Sequence, residues 1–151
     1  MANTQSVSNS FKVELMNGIH ALGATVARVG TTKDDFKAAL FLASATLDED
    51  TTAYSVTGEA SGTNYVAGGV AVTNAGAPAL DGSTAHWTPS ADFSWINVTL
   101  SNAFDAVQIY NSTQSNKSVA VYTFGSQTVT GGNFTLTMPA SAGTTGLLRL
   151  A

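Results

Sequence analysis

The 151-residue chain has no cysteine, so a disulfide framework is impossible. Zero thiols fit either a reducing compartment or indifference to redox state. Charge is also scarce. Only 11% of residues are Asp, Glu, Lys or Arg, against roughly 25% in an average soluble domain. Six basic and ten acidic side chains leave a net charge of −4. Six scattered cations cannot displace the counterions of a phosphate backbone, which excludes a nucleic-acid binder. The acidic excess is too mild to call for a cationic partner. No apolar run approaches the ~18 residues of a membrane-crossing helix. Disorder needs low hydrophobicity with high net charge, and neither holds.

What fills the charge deficit is small, neutral and polar: 21 Thr, 15 Ser, 10 Asn and 14 Gly, beside 44% apolar residues. At this length one domain is expected, burying roughly 70% of the surface that the unfolded chain exposes. A full core therefore needs no metal or covalent staple. The opening Met1-Ala2-Asn3-Thr4-Gln5-Ser6 has neither a basic n-region nor an apolar h-region. The expectation is a protein made in the cytoplasm that stays there or leaves by lysis.

Residues 1–9 are polar, lack any period and predict a flexible N-terminal arm; residues 10–151 predict a single β-rich domain. From Ser10 to Leu22, Phe11, Leu15, Ile19 and Leu22 form the stripe of a short amphipathic helix. Ser10 is its expected N-cap, Glu14 sits near the positive end of its dipole, and Gly18 is a weak point inside it. From Asp35 the period shifts to two. Phe36, Ala38, Leu40 and Leu42 share one face and Phe41 the other. Phe134, Leu136 and Met138 alternate with Thr135 and Thr137 after a Gly131-Gly132 turn. Further short strands are expected at 69–73, 84–88, 93–100, 106–111, 117–124 and 146–151. Turn clusters such as Gly58, Gly62, Gly68-Gly69, Asp81-Gly82 and Gly125-Ser126 separate them. The class is mainly β, a β-sandwich or jelly-roll-like fold.

Three segments stand out. Phe93 to Leu100 and Lys117 to Phe124 are apolar on both faces, so the extra pair must meet another sheet, the helix or another subunit. Leu47 to Gly69 predicts a long loop with a helical turn, suited to partner contact.

The search for chemistry finds no catalytic group. His20, beside the helix stripe, and His86, next to Trp87, are isolated and read as packed or surface residues; neither has metal-ligand spacing. Asp48-Glu49-Asp50 lacks the alternating oxygen ligands of a calcium loop, and Asp50 followed by Thr51-Thr52 reads as a helix start. The glycine-rich stretches have no Lys-Ser/Thr tail for a phosphate. Four Asn-x-Ser/Thr sequons, at Asn97, Asn111, Asn116 and Asn133, follow from composition. Tyr54, Tyr65, Trp87, Trp95 and Tyr110 are expected in core or subunit packing, with a sugar platform as the other reading. No enzyme activity, cofactor or metal is expected.

Three stretches carry a resemblance. The first is Ser10-Phe11-Lys12 with Glu14-Leu15 and Gly18-Ile19-His20. The second runs from Phe36-Lys37-Ala38-Ala39-Leu40-Phe41 through Ala45-Thr46-Leu47-Asp48, Thr52-Ala53-Tyr54, Gly58-Glu59, Gly62 and Tyr65 to Gly68-Gly69. The third joins Ile109-Tyr110-Asn111-Ser112, Asn116, Val119-Ala120-Val121 and Phe124-Gly125. From Ser10 to the end, the chain resembles small structural proteins of tailed bacteriophages that look like capsid decoration, or cement, proteins. The resemblance implies a β-sandwich on the outside of the head, bound to the major capsid protein and to itself, as a trimer over local three-fold positions. It would be assembled in the bacterial host cytoplasm. Other virion roles compatible with these residues are a tail- or fibre-associated adaptor and a carbohydrate-binding head appendage. Candidate capsid or subunit contacts are Ala2, Asn3, Thr4 and Gln5 of the arm, with Phe11, Tyr54, Tyr65, Trp95 and Tyr110.

Overall fold

The computed structural model describes residues 2–23, 32–73 and 77–151. The fold is mainly β, as expected. Its elements are β1 (Ser6–Val7), α1 (Asn9–Met16), β2 (Phe36–Leu42), β3 (Val70–Val72), β4 (Ala79–Asp81), β5 (Thr84–Trp87), β6 (Phe93–Asn111), β7 (Lys117–Leu136) and β8 (Leu148–Leu150). A five-stranded sheet has the order β1-β7-β6-β2-β3, and a three-stranded one β4-β5-β8. Each pairing is antiparallel. The small sheet sends Trp87 and Leu148 into the core that the large sheet builds from Phe36, Leu40, Leu100, Phe104 and Ile109. Phe36 and Trp87 meet with ring centroids 6.2 Å apart.

The strand at 36–42 obeys its sequence pattern. Phe36, Ala38 and Leu40 face the main core, while Ala39 and Phe41 enter a second cluster on the opposite side. The expected runs 93–100 and 106–111 are one 19-residue strand, β6. The runs at 117–124 and 134–138 likewise belong to β7, which continues unbroken through 20 residues. The ribbon survives its irregular stretches by slipping register, between Trp95 and Val98, Val98 and Leu100, Leu100 and Phe104, and Phe104 and Ala106. Bulges and similar irregularities of this kind bend a strand without ending it. The Gly125-Ser126 and Gly131-Gly132 pairs, expected as turns, lie inside β7.

Two expectations about the N-terminus are corrected. The helix stops at Met16, six residues short of Leu22. Gly18 has φ +67°, its N–H reaches the Leu15 carbonyl, and the Ile19 N–H reaches the Glu14 carbonyl. That double bond pattern is a Schellman stop, which favours glycine because a side chain at positive φ is strained. The N-cap is Ser8, not Ser10, and its hydroxyl bonds Ser118 at 2.7 Å instead of capping the helix. Glu14 therefore lies in the last turn, where the helix dipole disfavours it.

The arm, in turn, is tied down. Ser6 and Val7 pair with Val121 and Ala120, and the Ser8 N–H bonds the Val119 carbonyl. Asn3 is buried and makes three bonds: its amide donates to the Leu42 carbonyl and to Asp105, and its oxygen accepts from the Leu47 N–H. Polar composition was read as freedom, but side-chain amides and backbone can anchor a segment without apolar residues. Ala2, Thr4 and Gln5 are exposed between these ties.

Candidate functional site

The stretch 47–69 has no helical turn; Asp48 closes a tight turn instead, accepting from the Asp50 N–H. From there the chain crosses the second face of the large sheet. It pairs at one end with β7, through the Ala53–Lys117 bridge, and at the other with β2, through Phe41–Glu59. Between these anchors Tyr54 stacks on Tyr110, centroids 4.4 Å apart and planes 13° from parallel. Beneath lie Ala39, Phe41, Ala106 and Val121, with Ala45 and Leu47 at the margin. Val121 of the Lys117 to Phe124 run lies in this second cluster. The chain's own loop covers it.

A single carboxylate fastens that cover. Glu59 is buried and accepts from the Tyr54 hydroxyl at 2.6 Å, the Tyr65 hydroxyl at 2.8 Å and the Gly68 N–H at 2.7 Å. The Tyr65 oxygen also accepts from the Leu40 N–H, and Tyr110 donates to the Gly68 carbonyl. Three donors compensate the desolvation of a charge that no cation approaches as an ion pair among the described residues. Burial and the Glu59 charge push Tyr110 up to about 12, and raise Tyr54 and Tyr65 well above the ordinary tyrosine range. Backbone must pass close to β2 to deliver these groups. At Gly69, with φ +73°, a Cβ would lie 1.9 Å from the Ala38 carbonyl oxygen, so only glycine fits. Three of the tyrosines singled out in the sequence are therefore gathered around one acid. Glu59 itself was missed as a centre, because a lone acid between turn residues looks like any solvated loop charge.

A second polar network closes the other end of the large sheet. The His20 ring is buried between Phe11, centroids 4.7 Å apart, and Phe36, 6.4 Å apart. Its Nε2 lies 2.8 Å from Glu14, and its Nδ1 3.0 Å from the Asn111 amide nitrogen. That amide also donates to Asp34, while its oxygen accepts from the N–H groups of Thr113 and Gln114. With the amide oriented so, Nδ1 is the acceptor and Nε2 carries the proton. Burial alone would raise the Glu14 carboxyl, but hydrogen bonds from Lys117, at 2.6 Å, and His20 hold it below its usual value. These bonds also offset the unfavourable end of the helix dipole. The arrangement joins α1, the entry to β2 and the β6–β7 turn.

The remaining candidates are interior. Phe11 is 1% exposed and, with Leu15, Trp87 and Leu148, lines a shallow apolar crevice between α1 and the small sheet. Trp95 is 3% exposed and packs on Phe134. None of the exposed large apolar residues is aromatic, so Trp87, Trp95 and Tyr110 offer no open platform to a sugar ring. His86 is buried beside Ser141, and the sequon residue Asn111 is fully buried.

The exposed surface of β7 differs from these interior clusters. Ser126, Gln127, Thr128, Thr130, Asn133, Thr135 and Thr137 are exposed, and no charged side chain occurs from Ser118 to Leu148. No family model, curated protein or solved structure matches the chain.

Proposed function

We propose that this protein is a non-enzymatic virion component that binds the outer surface of a bacteriophage capsid and stabilises it. It acts there as a decoration or cement protein. Two antiparallel sheets around one shared core support reading the fold as a β-sandwich of jelly-roll type. The observation that carries the functional reading is the uncharged, Thr-rich exposed surface of β7. Burying such a face against another protein strands few charges, so its desolvation cost is low. Many identical contacts on a shell then add up. The buried acids, histidines and tyrosines support the same reading, since each is spent on holding loops to the sheets. The partners under this proposal are the major capsid protein and further copies of the chain, in a trimer over three-fold positions. Assembly takes place in the host cytoplasm.

Cosedimentation with undecorated heads tests it. Saturable binding, at hundreds of copies per particle and unchanged by added salt, is expected, because contacts made by shape and backbone are weakly screened. A ring of only a few copies would mark a tail or fibre adaptor. No binding, or release at moderate salt, would overturn the proposal.

A further inference from the structure

We propose that β7 pairs along its open edge with the same edge of a second copy, antiparallel, about a two-fold axis through Thr135. The side of β7 away from β6 is covered only at its start. Ala53 bridges Lys117, Ser8 bonds Val119, and β1 pairs with Ala120 and Val121. From Thr123 to Leu136, β7 has no strand on that side among the described residues. Its outward N–H and C=O groups complement another extended backbone.

Edge strands are usually guarded by lysine, proline or bulges. This edge has no proline and no charge. It does have bulges, where the register slips between Thr123 and Gln127 and between Val129 and Gly132. These spare the last turnless stretch: Phe134, Thr135 and Leu136 run in step with Trp95, Ser94 and Phe93. The regular, open part of the edge is therefore short and centred near Thr135.

The side-chain pattern and the lack of charge both fit a second copy as occupant. An axis through Thr135 sets Phe134 of one copy opposite Leu136 of the other, and Asn133 opposite Thr137. Apolar meets apolar on the core side and polar meets polar outside. A slip of one residue would set Phe134 against threonine. Phe134, Leu136 and Met138 are half-buried as they stand, so pairing extends an apolar surface already present. Any charge near a two-fold axis faces its like, and the chain keeps every charge out of this stretch. The contact is two-fold, so it is separate from a three-fold one and does not depend on the capsid reading.

The absence of cysteine makes the test clean. Opposed residues in an antiparallel pair have Cα atoms about 4.5–5.5 Å apart, within disulfide reach. Mild oxidation of full-length Thr135→Cys should give a covalent dimer, while Thr128→Cys, exposed between the two bulges and away from the axis, should not. In sedimentation equilibrium, Thr135→Lys should weaken the dimer roughly fivefold, since two lysines then face each other. Residue 135 is exposed, so circular dichroism should show the fold retained. A wild-type protein that stays monomeric at every concentration would overturn the proposal. So would equal cross-linking at residue 128, or a dimer indifferent to Thr135→Lys.

Discussion

Glu59 shows how much one side chain can hold. Replacing Tyr65 by Phe removes a donor from the carboxylate and the acceptor of the Leu40 N–H, while leaving the ring in place. Stability should fall by about 1–3 kcal/mol, read from urea unfolding, because the buried Leu40 N–H loses its acceptor while Glu59 keeps only Tyr54 and Gly68. The phenols also define an alkaline limit. All four tyrosines are raised, Tyr122 by burial that nearby Arg149 partly offsets. A raised phenol favours the folded state as long as it keeps its proton. The contribution is complete below the ordinary value near 10 and is lost as pH climbs towards Tyr110's value of about 12. Spectrophotometric titration should show almost no tyrosinate at pH 10 in the native protein, and half-ionised tyrosine at that pH in urea. Equal curves in the two solvents would mean that the cover over Tyr110 is open.

Among the elements, the strands were legible where alternation is strict, as at 36–42, and illegible where bulges intervene. A bulge adds a residue, so the alternation flips face midway and a period-two reading ends the strand there. Asn97, at φ +50°, and Gly131, at +58°, mark such places in β6 and β7. The helix was overread for a related reason. Ile19 and Leu22 keep helical spacing with Phe11 although the chain has already left the helix at Gly18. Gly18→Ala should therefore destabilise by about 1–2 kcal/mol, whereas an interior helical glycine would gain from the same change. Thermal unfolding distinguishes the two by sign. The tyrosine cluster was half legible. Aromatics in the loop and on β6 are visible in a sequence, but their meeting around Glu59 depends on a crossing path that no local pattern encodes.

At the scale of the whole molecule, the loop 47–69 and the N-terminal segment convert a two-faced sheet into a closed unit. Asn3 is the joint between them. Asn3→Ala leaves Asp105 and the Leu47 N–H without this partner and takes one of two donors from the Leu42 carbonyl, and should cost about 1–3 kcal/mol. Hydrogen exchange at Ser6 to Ser8 should accelerate well beyond the global change; unchanged protection there would mean that β1 holds unaided. The same threading orders events during synthesis. Asn3 waits for a residue 102 positions later, and Ser8 for one 110 positions later. At ribosomal speeds of about 5–20 residues per second, that is a delay of roughly 5–20 s. Residues 3–8 can meet Leu42 and Leu47 early, but they complete their bonds only after β6 and β7 have been made.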